Sequence, residues 1–200
     1  MMKAGYHNDQ WVASSKVYTI RDGYEWLRTK QPKQNWVQLA WNKWNYPKHA
    51  MVSWLILNHG LNVKAKLFQF GCCPDIRCCI CDKDSESQEH LFFNCLYSKQ
   101  VMMLVEEWCG FKVAVGSYAS NGRNAGTRLK RQVHYFIWTA CFYHIWCQRK
   151  NSRVNLILLR PEKLAAIIKE EVTRRIRSKI GKIVSCNEKS WLQKWGIMGY

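Results

Sequence analysis

The stretch CCICDKDSESQEHLFFNC, residues 78–95, decides how this chain is read, because it sets four soft metal ligands at short spacing. Cys78, Cys81, His90 and Cys95 form the pattern C-x2-C-x8-H-x4-C, in which two thiolates sit on a tight knuckle and the other two donors flank a short helical turn. Such a Cys3His set suits a tetrahedral Zn2+ ion. Two residues between the first cysteines let a reverse turn aim both sulfurs at one point about 2.3 Å from the metal. His90 and Cys95 are five positions apart, a little more than one helical turn, so both point inward if the turn after Phe93 loosens. Leu91, Phe92 and Phe93 then supply an apolar shell. Four protein ligands leave no position for water, which indicates a structural rather than a catalytic metal. Cys79 in place of Cys78 leaves one residue before Cys81 and a turn that is hard to close. The competing reading is a group of buried cysteines beside an ordinary histidine, and packing is the expected role of Cys72 and Cys73.

The chain has 200 residues, enough for one domain or two small ones, with 31 Lys and Arg against 14 Asp and Glu, a net charge of +17. The excess is uneven: about +3 through Gly110 and +14 from Phe111 onward. A basic half of this kind favours a polyanionic partner, nucleic acid above all, although a solvated basic face needs no partner. The 11 Trp and 9 Tyr can stack on bases, but most recur at core spacing and are expected to be buried. Ten cysteines without an apolar leader segment point to a reducing intracellular compartment and to metal rather than disulfides.

Residues 1–15 read as a loose leader. Lys16 to Ile20 alternates like a short strand, and Asp22 is placed to cap a helix through Arg28 that buries Tyr24 and Leu27. The run NWVQLAWNKW sets Trp36, Leu39 or Ala40, and Trp44 at helical spacing. Pro47 opens the next helix, whose expected apolar face is Ala50, Met51, Trp54, Leu55 and Leu57, with His49 and His59 at the surface or as caps. Asn62 is the expected cap of a helix ending at Gly71, with Leu67 and Phe70 leading into the knuckle. After Cys95, Ser98 opens a helix through Trp108, with Val101, Leu104, Val105 and Trp108 inward and Gly110 as its stop.

Taken together, IRDGY, NWVQLAWNKW, YPKHAMVSWLILNHGL, KAKLFQFG and CCICDKDSESQEHLFFNCLYS resemble the zinc-binding domain behind the reverse transcriptases of plant non-LTR (LINE-type) retroelements. The resemblance covers about residues 17–109, and its most specific pieces are the Cys-x2-Cys with EHLFFNC and the PKHAMVSWL helix. It implies that Cys78, Cys81, His90 and Cys95 are the metal ligands. The family commonly has a Trp several residues after the last Cys, where this chain has Met102. The segment CFYHIWCQRKNSR is similar to the tail that follows the domain in the same retroelement proteins.

Residues 111–127 have the small, polar composition of a linker. A long helix is expected from Arg128 to Lys150, with Leu129, Val133, Phe136, Ile137, Ala140, His144 and Cys147 on one side. Its apolar core is shorter than the roughly 20 residues that cross a bilayer, and no membrane span is expected. Pro161 starts a last helix in which Leu164, Ile168, Val172, Ile176 and Ile180 recur every four residues. Arg174, Arg175, Arg177 and Lys179 crowd its end, with Lys182 beyond. Capping of the helix dipole accounts for some of these cations, and phosphate contact is the expectation for the group. Trp191 and Trp195 suggest a short amphipathic turn in the tail.

The sequence holds no Asp-Asp pair for a polymerase palm, and no Gly-rich phosphate loop, GxSxG elbow or HExxH helix. His134 and His144 near Cys141 sit at core spacing and are read as packing, not as a nucleophile and its base. The expected fold is mainly α: a leader (1–15), a helical zinc-knuckle domain (16–110), a linker (111–127) and a basic helical region (128–200). The expected function is a non-catalytic zinc module that binds RNA or single-stranded DNA. The alternative is a structural zinc domain that docks on protein, or a retroelement remnant with no retained role.

Overall fold

The computed structural model describes residues 19–27, 36–110, 127–154, 157–180, 190 and 192–193. The chain divides into two compact units, Met1–Lys33 and Gln34–Tyr200. The first contributes one described helix, α1 (Ile20–Leu27). Ile20 is its opening residue rather than the end of a strand, and Tyr24 and Leu27 are exposed, not buried as their spacing suggested. The leader lies outside the described residues.

In the second unit the described elements are all helical: α2 (Val37–Ala40), α3 (Pro47–Leu57), α4 (Lys64–Gln69), a π turn (His90–Asn94), α5 (Leu96–Cys109), α6 (Arg128–Val154) and α7 (Pro161–Lys179). The mainly α expectation holds among the described residues. Helix α6 is central: it packs against α2, α3, α5 and α7, and α7 also lies along α5. Its 27 residues bury Val133, Phe136, Ile137 and Ala140 as the spacing indicated, and also Trp138, Cys141, Phe142 and Ile145 on other sides. A helix covered by four others needs apolar residues nearly all round. Leu164, Ile168, Val172 and Ile176 of α7 are buried in the same core, as their four-residue recurrence indicated.

Three local departures from the sequence reading have identifiable causes. Helix α2 ends at Ala40 rather than running on to Trp44, because the Asn45 amide donates 2.8 Å hydrogen bonds to the carbonyls of Leu39 and Ala40. Leu39, Ala40 and Trp44 are buried, but Trp41 is 55% exposed. Helix α3 buries His49, Ala50, Val52, Ser53 and Ile56, while Met51 is half exposed. The segment is apolar on every side, so hydropathy could not select the face, and α6 takes the side that carries His49. That histidine, expected at the surface, is fully buried.

The third departure concerns α4. Asn62 does not cap it; Glu86, 22 positions after Lys64, accepts the Lys64 N–H at 2.9 Å. Helix α4 buries none of its residues, and Phe70 beyond its end is exposed. The same Glu86 side chain, fully buried, takes two hydrogen bonds from Arg149 of α6 at 2.7 and 3.0 Å and one from the Cys79 N–H. Arg149 also reaches the Asn62 carbonyl and lies over the Trp146 ring. Burial alone would raise the Glu86 carboxyl, but the bonds from Arg149 and Cys79 hold it below the ordinary glutamate value.

Arg149→Met leaves the Glu86 charge buried without its partner and is predicted to destabilise the chain by about 3–5 kcal/mol, measured by denaturant unfolding. Because the Glu86 pKa is depressed on folding, its contribution is present above about pH 4.3, the ordinary glutamate value, and is lost as pH falls through the folded value. Arg149→Met therefore moves the acid-unfolding midpoint toward neutral pH. An unchanged midpoint contradicts this account of the pair.

Candidate metal centre and basic surface

The knuckle is built by backbone pairing. Arg77 and Ser85 form an isolated antiparallel bridge, Cys78 N–H donates to the Asp84 carbonyl at 2.8 Å, and Glu86 N–H donates to Ile76 at 2.7 Å. Asp82 N–H closes back on the Cys78 carbonyl at 2.8 Å, with Asp82 itself at φ 52°. Aspartate tolerates that left-handed conformation, which turns the chain tightly enough to carry Cys81 back beside Cys78.

On the other side, the loosened turn expected after Phe93 is a π turn: Cys95 N–H bonds to the His90 carbonyl five residues back at 2.7 Å. The wide turn puts positions 90 and 95 on one face. The four donor atoms of Cys78, Cys81, His90 and Cys95 lie within 4.8 Å of one another, and His90 Nε2 is 3.3 Å from Cys81 Sγ. Donors on a common tetrahedral zinc stand about 3.5–3.8 Å apart, given bond lengths near 2.0 Å to nitrogen and 2.3 Å to sulfur. The set fits a metal ion with small side-chain adjustments.

The surroundings of the sulfurs also suit an ion. Backbone N–H groups of Ile80 and Cys81 face Cys78, and those of Tyr97 and Ser98 face Cys95. Donors of this kind favour thiolates. The hydrogen bond that Cys78 gives Cys95, reinforced by burial, pushes the Cys78 thiol well above its ordinary value, and the same bond draws Cys95 below it. His90 Nδ1 faces the Asp84 carboxylate at 3.6 Å, on the side away from Cys81, an orientation that aims Nε2 at the cluster. The spacing argument singled out neither Asp84 nor Glu86.

Cys79 faces the other way. Its thiol bonds to Glu86 Oε2, and burial with that bond pushes it up to about 12. The structure thereby selects Cys78 over Cys79. Cys72 is exposed rather than packed, and Cys73 is half-buried with its thiol on the Asp75 carbonyl. Cys141 is fully buried with its thiol raised by burial, consistent with packing.

Residues 18–101 match the family model described as zinc-binding in reverse transcriptase. This segment is similar to the zinc-binding domain of reverse transcriptases. An uncharacterized mitochondrial protein of Arabidopsis thaliana is 29% identical over 83 residues, 40% of this chain and 57% of that protein, so the match spans little more than half of the relative. No solved structure matches the chain. The zinc-binding domain contains the knuckle, the π turn and the first part of α5, whereas α6 and α7 lie beyond it. Those two helices nevertheless share its core: the Phe142 ring meets Phe92 at 5.5 Å and Phe93 at 5.9 Å, and Tyr97 Oη donates to the Leu159 carbonyl.

The cations expected to meet nucleic acid have unequal surroundings. Arg174 is exposed and pairs with Glu170 one turn earlier. Arg175 is drawn inward, with its guanidinium 4.4 Å from the Tyr46 ring centroid and its Nε–H on the Trp44 carbonyl. Lys179 donates to the Lys43 carbonyl. Arg177 is exposed, and Lys182, like Trp191 and Trp195, lies outside the described residues. A basic cleft that the spacing did not indicate opens where the α2–α3 connection meets the start of α6. It has a volume of about 580 Å³, and its lining includes Gln38, Trp41, Lys43, Arg128, Arg131 and Tyr135.

Cys81→Ala or His90→Ala is predicted to abolish metal uptake at the knuckle. Such a change removes on the order of 10 kcal/mol of metal-coupled folding free energy, comparable with the whole stability of a domain. Circular dichroism melts should lose their cooperative transition, whereas Cys72→Ala should melt like the parent protein. Full helicity after complete chelation contradicts the prediction.

Proposed function

We propose that the chain is a zinc-stabilised module that binds single-stranded nucleic acid, RNA or DNA, in the cleft between the α2–α3 connection and α6. The Cys78, Cys81, His90, Cys95 set holds Zn2+, which fixes the knuckle and carries out no reaction. The observation that carries the reading is the cleft itself: an exposed indole and a phenol ring beside Lys43, Arg128 and Arg131. Flat rings stack on bases of any sequence, while the cations track the phosphates. Lys179, whose ammonium rests on the Lys43 carbonyl, extends the basic surface from the cleft to the end of α7. Arg177, exposed near the end of α7, joins the same proposed surface, while Arg175 lies over the Tyr46 ring and donates to the Trp44 carbonyl.

Binding of labelled single-stranded RNA to the metal-loaded protein should weaken steeply with salt. In the Arg128→Ala/Arg131→Ala double variant the log–log slope should fall by about 1.4, near 0.7 per lost phosphate contact on a single strand. Trp41→Ala should cost about 1–3 kcal/mol through lost stacking. Absence of binding at low salt, or a double variant that binds like the parent, defeats the proposal. A second reading, docking on protein, is favoured by the exposed Phe68 and Phe70 at the end of α4. Partners that survive nuclease treatment and are lost in Phe68→Ser/Phe70→Ser would support it.

A further inference from the structure

Three side chains from distant parts of the sequence meet where α3, α6 and α7 pack together. His49, His144 and Glu171 bring one donor atom each within 4.8 Å of one another. His144 Nε2 lies 2.6 Å from Glu171 Oε2, and His49 Nε2 lies 3.1 Å from Glu171 Oε1. The His49 contact is off the line that a hydrogen bond needs, and both of its ring nitrogens are buried without a hydrogen-bond partner. A fully buried imidazole left in this state is costly unless something else takes its lone pair. Its ring is held in place by Tyr143, at 4.7 Å between centroids, and by Phe136, so it cannot turn away to water.

We infer that His49, His144 and Glu171 form a second site for a divalent transition-metal ion, of which zinc is the natural occupant. Two imidazoles and a carboxylate are a donor set this class of ion accepts, and three protein ligands leave one position for water. That position faces outward, since the His144 and Glu171 side chains keep 13% and 16% of their exposure while His49 keeps none. The Lys48 ammonium, 3.9 Å from Glu171 Oε1, is the competing cation; its side chain is half exposed and swings clear without disturbing the core. The ion would join residues on both sides of the knuckle, one in the zinc-binding domain and two in the helices beyond it. It uses none of the thiolates of the first site and none of the residues lining the cleft.

The test uses the full chain with Cys72→Ser and Cys73→Ser, so that the two thiols just ahead of the knuckle add no stray binding. After chelation and removal of the chelator, the protein is titrated with Zn2+ against a chromophoric competitor and analysed for bound metal. Two equivalents are expected for this parent and one for each of His144→Gln and Glu171→Gln. Cobalt substitution reads the sites separately: the thiolate-to-metal absorption of the first site should be unchanged in both variants, which also reports that they fold. A parent that takes up a single equivalent overturns the inference and leaves only a His144–Glu171 hydrogen bond with His49 packed beside it. So does a second equivalent that persists at full occupancy in both variants. Neither result bears on nucleic-acid binding, which is read by the salt titration.

Discussion

A carboxylate and a guanidinium, both withdrawn from water, hold the second unit together. Glu86 and Arg149 are 63 positions apart, and their contact is direct and buried. Removing two charges from water costs several kcal/mol per ion, so such a pair persists only where every remaining donor and acceptor is used. Here nearly every one is. The carboxylate takes the start of α4 and the Cys79 N–H, while the guanidinium takes the Asn62 carbonyl and lies over Trp146. One ion pair therefore fixes the beginning of α4, the knuckle and the far half of α6 relative to one another. An apolar contact of equal area would hold these pieces together but would not set their register.

That register is what makes the metal site geometric rather than merely compositional. With Cys79 committed to Glu86, the tetrapeptide Cys78–Cys81 has one orientation in which its outer cysteines face inward. The π turn meets it from the opposite side, its wide pitch bringing His90 and Cys95 onto a common face that an α turn would separate by more than a quarter of a revolution. Leu91 and Phe92, between those two ligands, are fully buried against α6 through Phe142. The knuckle is thus packed on its neighbours as well as drawn together by its own backbone pairing.

The convergence of Cys78, Cys81, His90 and Cys95 was legible in the sequence because it depends on spacings of a few residues, which the chain displays directly. The pattern of α7 was legible for a similar reason: one face is buried and the other solvated, so the period shows. Helix α3 failed that test, since an all-round apolar segment carries no phase, and the inward turn of His49 rests on ring contacts with Phe136 and Tyr143 in distant α6. The stop of α2 at Ala40 and the cap of α4 by Glu86 were hidden for one physical reason. Each is a side chain satisfying backbone groups that lie outside its own element. Polar satisfaction from outside an element leaves no signature in that element's own periodicity. The division of the chain at residues 111–127 was read from composition, and those residues lie largely outside the description; what the structure adds is that α6 and α7 complete the core begun before them.

The distribution of charge follows from the same packing. Counting residues concentrates the positive excess in the second half and points to the end of α7, where four cations fall within six positions. Packing separates them. Arg175 lies inward over Tyr46 with a backbone carbonyl as its acceptor, a role in which the planar guanidinium is structural. Lys179 leans across to the α2–α3 connection, and Arg174 answers Glu170. What remains as a concave basic surface lies at the other end of the contact, where Arg128 and Arg131 open α6 beside Lys43. The first-turn cations of α6 oppose the helix dipole, so they add nothing favourable to the helix that bears them. Cations placed where they cost helix stability, next to an exposed tryptophan, make sense as a surface kept for an anion with flat faces, and that argument favours the cleft over the helix end as the place where nucleic acid would lie.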